Sequence, residues 1–377
     1  MVVNEFDMKD IKFDLNDIVI VPAEESEVNS RKECEVTINW KSNYSMLPLM
    51  AAPMDTVVSE KNFQHYIDNG IIPCLPRGQY INPHADGEQG NGHKPFFQAF
   101  GLYEIESALK SYKTTREFIG KVTGTTTSFY THTIPFFYYS HVLIDIANGH
   151  MKKLIPLVRE IKETWPELVL MVGNVANPET FANLGLAGAD YVRCSIGTGA
   201  GCTTAANVSI NYPMGSLIQE CRQQKKELNL NTKIVADGGM KNYSDIIKAL
   251  ALGADYVMMG STFNKCIESA GFNYLWGIKI SERVAEILWR WDFPVKKKYR
   301  GMSTKAVQRS WGKSELVTAE GITKYQKVEH TLHQWTENFN DYLRSAMSYC
   351  NAKKLDDFIG VAQYVFITDA ARKRFDK

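Results

Sequence analysis

The sequence lacks a long apolar run. No segment reaches the ~18 uninterrupted apolar residues that a membrane-spanning helix needs. The first stretch, MVVNEFDMKDIKFDLND, is charged throughout where a secretory signal is apolar. A soluble, cytoplasmic chain with no membrane partner is expected. Neither charge is in excess: 43 Lys and Arg against 42 Asp and Glu give a formal net charge of +1. No global field then favours nucleic acid or an anionic surface, so nucleic acid is not an expected partner and phosphate binding has to be local. Paired cysteines are missing as well. The seven present, Cys34, Cys74, Cys194, Cys202, Cys221, Cys266 and Cys350, are an odd number without a C-x-x-C spacing. That argues against a disulfide framework or a zinc site and leaves each thiol to be judged singly.

What is present is a set of eight short apolar runs among the 377 residues. LPLMAAP (47–53), GIIPCL (70–75), FFQAFG (96–101), HVLIDIA (141–147), LVLMVG (168–173), YVRCSIG (191–197), KIVADGG (233–239) and YVMMGS (256–261) are aliphatic and β-branched with little alternation, as parallel strands covered on both faces are. Amphipathic helical stretches separate most of them, such as MKKLIPLVREIKETW before the fifth and YSDIIKALALG before the eighth. Alternation of strand and helix over roughly 250 residues predicts an α/β fold, a closed (β/α)8 TIM barrel of parallel strands, as a single domain over residues 1–377. An open doubly wound sheet is the other option, but no G-x-G-x-x-G follows the first run, so its dinucleotide-binding form has no support. Two segments interrupt the pattern. Residues 77–94, rich in Gly, Asn, Pro and His, read as a flexible loop, and residues 122–140 are Thr-rich and then aromatic, an insertion that packs on the barrel or on a neighbouring subunit. After the eighth run a tail holds KKKYRGMS and VTAEGITKYQKVEHT, followed by LRSAMSYCNAKKLDDF, which reads as helical.

In such a barrel the functional groups gather on the C-terminal face, where strands end and loops begin. The sixth run ends in SIGTGAGCTT, the seventh in Ala236-Asp237-Gly238-Gly239 and the eighth in Met259-Gly260-Ser261. Glycines let backbone N–H groups approach an anion closely, and the loops after strands seven and eight are the usual phosphate site of this architecture. Asp237, directly before two glycines, is placed to accept hydrogen bonds from ribose hydroxyls. Together these residues read as a site for a nucleotide monophosphate. Cys202 lies in the loop after the sixth run and would face the same cavity. A thiol of ordinary pKa, ~8.5, becomes an effective nucleophile only where neighbouring donors favour the thiolate. The alternative reading of Cys202 is a small buried residue, and Cys194, inside its run, reads as core.

PLMAAPMDTV, IDIANGH, SIGTGAGCTT, VADGGM, YVMMGS and YRGMS occur in the order, and near the spacing, of the IMP dehydrogenase and GMP reductase family, which the chain resembles from about Phe13 to Phe366. The resemblance implies an oxidoreductase in which a cysteine attacks carbon 2 of a purine nucleotide, forming a covalent thioimidate, while a nicotinamide cofactor exchanges hydride there. It implies Cys202 as the nucleophile. Asp237, Gly238 and Gly239 would hold ribose and phosphate, Gly260 and Ser261 phosphate, and Gly301, Met302 and Ser303 base and phosphate, with Gly321 also on the substrate. Asp145, Ile146, Ala147, Ile196 and Gly197 would lie along the cofactor, joined by Arg77, and the carbonyls of Gly197, Gly199 and Cys202 would hold a monovalent cation such as K+. A mobile flap over residues 296–330 and a homotetramer are further implications.

Within the family, three features point to the reductase branch. No CBS modules are inserted after the second strand, no Arg-Tyr dipeptide exists to activate water, and AEG places Glu320 where dehydrogenases usually carry glutamine. Ammonia leaves readily only when protonated. Glu320 with Thr204 is therefore implied as the proton-handling pair in a reduction of GMP to IMP and ammonia by NADPH. The competing expectations are a dehydrogenase without CBS modules and a nucleotide-binding protein without turnover. Ala200 stands where the family carries a phosphate-contacting serine, and Val317 where reductases carry arginine.

Overall fold

All eight apolar runs become strands of one closed parallel barrel: β1 (Leu49–Ala51), β2 (Ile72–Leu75), β3 (Phe97–Phe100), β4 (His141–Asp145), β5 (Val169–Val175), β6 (Tyr191–Cys194), β7 (Lys233–Asp237) and β8 (Tyr256–Met259). They pair in chain order, and β8 returns to β1, Val257 opposite Leu49. The α/β barrel class expected from the sequence is the one observed. This computed structural model describes residues 11–40, 44–81, 94–123, 139–304, 307 and 321–375. Most of the 77–94 loop, most of the 122–140 insertion, and residues 308–320 of the flap, with Val317 and Glu320, lie outside the described residues.

The strands mostly stop earlier than the apolar runs, because the glycines and the proline that end those runs leave the ladder. β6 ends at Cys194, and Gly197 turns the chain at φ +80°, a conformation open to glycine. Two of the helices between strands start on side-chain caps. Asn177 accepts the Thr180 N–H at 2.8 Å ahead of helix Pro178–Leu186, and Asn242 accepts the Asp245 N–H at 2.9 Å ahead of helix Tyr243–Leu252. Along each strand side chains alternate. Met50, Cys74, Phe97, Leu143, Met171 and Val235 fill the barrel interior, while residues such as Leu49, Val142, Leu170, Val192 and Val257 pack under the helices.

Ahead of β1 a hairpin (Ile38–Trp40 paired with Tyr44–Met46) closes the N-terminal end of the barrel. Trp40 sits 5.9 Å from the Phe97 ring and 4.7 Å from the His141 ring, centroid to centroid, and Met46 joins the same interior cluster. The hairpin thereby covers the N-terminal end of the barrel. The chain after β8 holds more than the flap and helical tail expected. It forms a four-stranded antiparallel sheet, in the spatial order Ile278–Ile280, Asn273–Leu275, Lys296–Arg300, Thr323–Lys327. The reading missed this sheet because KKKYR and TKYQK are charged runs without an apolar alternation. Among the described residues the tail holds three helices, Leu332–Tyr349 and Leu355–Phe358, separated where Asn351 takes φ +55°, and Asp369–Phe375 beyond the last strand. Strand Tyr364–Phe366 then pairs with Ile18–Ile20, tying the two ends of the chain together. Among the described residues no helix is long and apolar enough to cross a membrane.

Because Trp40 is the plug of the interior core, Trp40→Ala should lower stability by about 3–5 kcal/mol, read as an earlier urea midpoint with an unchanged slope. Parent-like stability in that variant would show that the hairpin does not close the barrel.

Candidate active site

The last inward positions of β4, β5, β6 and β7 are Asp145, Gly173, Arg193 and Asp237, and they meet at the open end of the barrel. Arg193 Nη1 donates to Asp145 Oδ1 at 2.6 Å, while its Nη2 and Nε donate to Asp237 Oδ2 at 2.8 and 3.2 Å. Asn174, just past Gly173, donates its Nδ2 to the same Asp237 oxygen at 2.6 Å. The Arg193 side chain is 7% exposed. Burial pulls the guanidinium pKa down, but the charges of Asp237 and Asp145 outweigh it, and the net shift is upward. Gly173 makes room for this cation, since a Cβ there would lie 2.5 Å from Arg193 Cβ. Among the described residues, no donor is bonded to Asp145 Oδ2 or Asp237 Oδ1.

The loop after β6 lies beside this network. Thr198 Oγ1 donates to the Asp237 carbonyl at 3.1 Å, which joins the sixth and seventh loops, and Gly238 and Gly239 turn away at φ +76° and +87°. Cys202 N–H donates to the Gly199 carbonyl at 2.8 Å, and its Sγ–H donates to Thr204 Oγ1 at 3.2 Å. Returning chain covers the loop. Cys202 pairs with Gly321 in an antiparallel bridge, Ile322 N–H donates to the Gly201 carbonyl at 3.0 Å, and Gly301 N–H donates to the Ile322 carbonyl at 3.0 Å. Three backbones converge so closely that a Cβ on Gly301 would overlap the Gly201 carbonyl and lie 3.2 Å from Gly321 Cα. Tyr299 forms the adjoining wall, 2.9 Å from a Cβ built on Gly201. Burial pushes its phenol pKa up, and the negative charge of Asp237 and of an ionised Cys202 adds to that.

This geometry brings Cys202, Thr204, Gly301, Gly321, Asp237, Gly238 and Gly239 to one mouth. Cys202 is only partly buried, whereas Cys194 is fully buried, 3.9 Å from Cys221 Sγ, so the choice left open for Cys202 falls against the core reading. Met302 and Ser303 follow Gly301, held there by an ion pair between Arg300 and Asp55 in the loop after β1. Ser261 donates its hydroxyl to Gln326 Oε1 at 2.9 Å, and Gln326 returns a bond to the Ser261 carbonyl at 3.2 Å. On the other side, buried Ile146 donates its N–H to the Gly173 carbonyl at 2.9 Å, leaving Ala147 exposed. Arg77 is turned toward Gly101, its Nε 3.5 Å from Glu104, so a paired charge is what it offers a ligand. Sequence reasoning missed Arg193, Asn174 and Tyr299. A basic residue inside the apolar run YVRCSIG was the available signal for Arg193.

The profile of the family described as IMP dehydrogenase / GMP reductase domain matches residues 12–375. The chain belongs to this family. An inosine-5'-monophosphate dehydrogenase of Chlorobaculum parvum is 34% identical over 229 residues, 61% of this chain but only 45% of that protein's length. A GMP reductase of Onchocerca volvulus is 26% identical over 372 residues, covering 97% of this chain and 93% of its own. The GMP reductase 2 of Homo sapiens is 25% identical over 388 residues, 98% of each chain. The family makes the chain an oxidoreductase of purine metabolism with a barrel catalytic domain.

Removing Arg193 leaves two buried carboxylates without their cation, so Arg193→Met should destabilise by about 3–5 kcal/mol. Adding Asp145→Asn to that variant should restore part of the loss; equal stability of single and double variants in urea would contradict the shared-cation geometry. Gly301→Ala should weaken binding of a purine nucleotide at least tenfold in calorimetry while the β-barrel far-UV signature persists, because the added methyl forces Gly201 and Gly321 apart.

Proposed function

We propose that this chain is a GMP reductase, converting GMP and NADPH to IMP, NADP and ammonia. The observation that carries the reading is the half-buried Cys202, bonded to Thr204 and paired with Gly321 at the mouth of the barrel beside Asp237. Asp237 Oδ1, outside the Arg193 network, accepts from ribose hydroxyls. The N–H groups of Gly239, Gly260, Ser261, Met302 and Ser303 would take the phosphate and Gly301 would pack against the base, so that carbon 2 of the purine meets Cys202 Sγ. Full-length alignment supports the reductase branch: this chain and proteins named GMP reductase match over 93–98% of the latter's length.

Chemistry at carbon 2 then needs a nucleophile and a proton source. The Cys202 sulfur bonds to carbon 2 and gives up its proton, with Thr204 Oγ1 as the neighbouring acceptor. Glu320, the residue before Gly321, protonates the 2-amino group through Thr204, so that the carbon–nitrogen bond breaks to release ammonia and leaves a thioimidate on Cys202. A bound reduced nicotinamide supplies hydride to carbon 2. The carbon–sulfur bond then breaks, the sulfur leaving as thiolate and taking a proton from solvent. The sum is GMP, NADPH and two protons to IMP, NADP and ammonium. Asp145, with Oδ2 outside the Arg193 bond and the exposed Ala147 loop beside it, fits the ribose of a nicotinamide nucleotide, in line with Ile146, Ile196 and Gly197. The carbonyls of Gly197, Gly199 and Cys202 would hold a monovalent cation; among the described residues those of Gly197 and Cys202 accept no backbone hydrogen bond, while that of Gly199 already accepts the Cys202 N–H. A homotetramer belongs to the same reading.

One observation favours the dehydrogenase instead: local identity to the Chlorobaculum enzyme, 34%, exceeds that to the reductases. A single assay separates the two. NADPH oxidation with GMP, accompanied by ammonia release, should be lost by more than about 10³-fold in Cys202→Ala and by about 10²-fold or more in Glu320→Gln. Turnover only with IMP and NAD would reverse the assignment, and nucleotide binding without turnover or adduct on Cys202 would make the chain a binder.

A further inference from the structure

The sheet that follows β8 has a composition unlike the rest of the chain. Its four strands carry Lys279 on one, Lys296, Lys297, Lys298 and Arg300 on another, and Lys324 and Lys327 on the last, without a single acidic residue. The near-zero net charge of the chain conceals this local concentration. Register divides the strands into two faces. Asn273, Lys297 and Gln326 stand opposite one another and are buried against the barrel, as is Tyr299. On the outer face one row runs Lys279, Tyr274, Lys296, Lys327, and the next runs Phe272, Lys298, Tyr325. Cations and aromatic rings therefore intermix over one face of the sheet.

Two features show that this face is unfinished in the isolated chain. Among the described residues, Lys279, Lys296, Lys298 and Lys327 form no ion pair, although Lys296 stands directly opposite Lys327, where like charges repel. The rings are open as well: Tyr325 is 53% and Phe272 55% exposed, Tyr274 packs edge-on to Tyr325 at 4.9 Å, and Lys279 Nζ lies 3.4 Å from the Phe272 centroid.

We propose that this outer face binds single-stranded nucleic acid, its lysines on successive phosphates and Phe272, Tyr274 and Tyr325 against bases. A single strand is favoured because only unstacked bases offer their faces to the rings, and base–aromatic stacking beside a basic track is the chemistry of sequence-tolerant strand binding. An acidic peptide would satisfy the lysines and leave the rings idle. A lipid surface would engage the hairpin tip of this sheet, where Trp276 and Ile278 are 75% and 68% exposed, and leave the lysine rows and Tyr325 unused. The barrel mouth uses the opposite face, through Tyr299 and Gln326, so the two sites are separate.

Fluorescence anisotropy of a labelled oligodeoxythymidine with the full chain, over a series of KCl concentrations, tests the proposal. Log affinity should fall with log salt at a slope of about −2 to −3, roughly 0.7 per phosphate. Tyr325→Ala should weaken binding about tenfold with that slope unchanged, while Tyr325→Phe binds like the parent. Lys296→Gln combined with Lys327→Gln should make the slope shallower by about 1.4. Excess GMP should not displace the strand. The proposal is overturned by an absence of binding, by equal affinity for a duplex of the same length, by displacement with GMP, or by binding to phosphatidylserine vesicles in place of the oligonucleotide.

Discussion

A guanidinium buried across the open end of the barrel is the constraint around which the site is arranged. Arg193 cannot leave water without opposite charge, and two carboxylates from different strands provide it. Because Asp145 ends β4 and Asp237 ends β7, one cation fixes the relative position of the loops after β4 and β7. Asn174 finishes the satisfaction of Asp237, and Gly173 gives the space. The two carboxylates are thus each held through one oxygen, ordered before any ligand arrives, which lowers what a ligand must spend on ordering them.

Close backbone approach does the comparable work on the other side. Gly201, Gly301 and Gly321 bring three chain segments within van der Waals distance, and hydrogen bonds through Ile322 lock them. That contact is what sets a residue more than a hundred positions downstream beside Cys202. The Arg300–Asp55 pair and the Ser261–Gln326 bonds brace the same segment against β1 and β8. The sheet after β8 therefore has two roles in one thickness: its buried face supports the mouth, and its outer face presents the basic, aromatic surface.

How far the sequence alone reached is clearest strand by strand. Eight buried parallel strands were legible because burial on both faces removes polar residues from a run of four to seven positions, and that composition survives in any order of reading. The glycine-rich loops and Cys202 were legible for a related reason: positive φ and close approach admit few other residues, as at Gly197, Gly238 and Gly239. Charged strands such as Lys296–Arg300 carried no such mark, since one face is buried through Lys297 and Tyr299 only by virtue of what lies beneath it.

By itself, then, the order of apolar runs and glycine turns determined the barrel class and the position of Cys202 in the glycine-rich loop after β6. The tertiary structure alone decided which groups surround that thiol. Arg193 meets Asp145 and Asp237 across 48 and 44 positions of chain, and Cys202 meets Gly321 only because the sheet returns over the mouth. Local sequence records the conformation each residue can adopt, whereas ion pairing and backbone contact depend on distances set by closing the barrel.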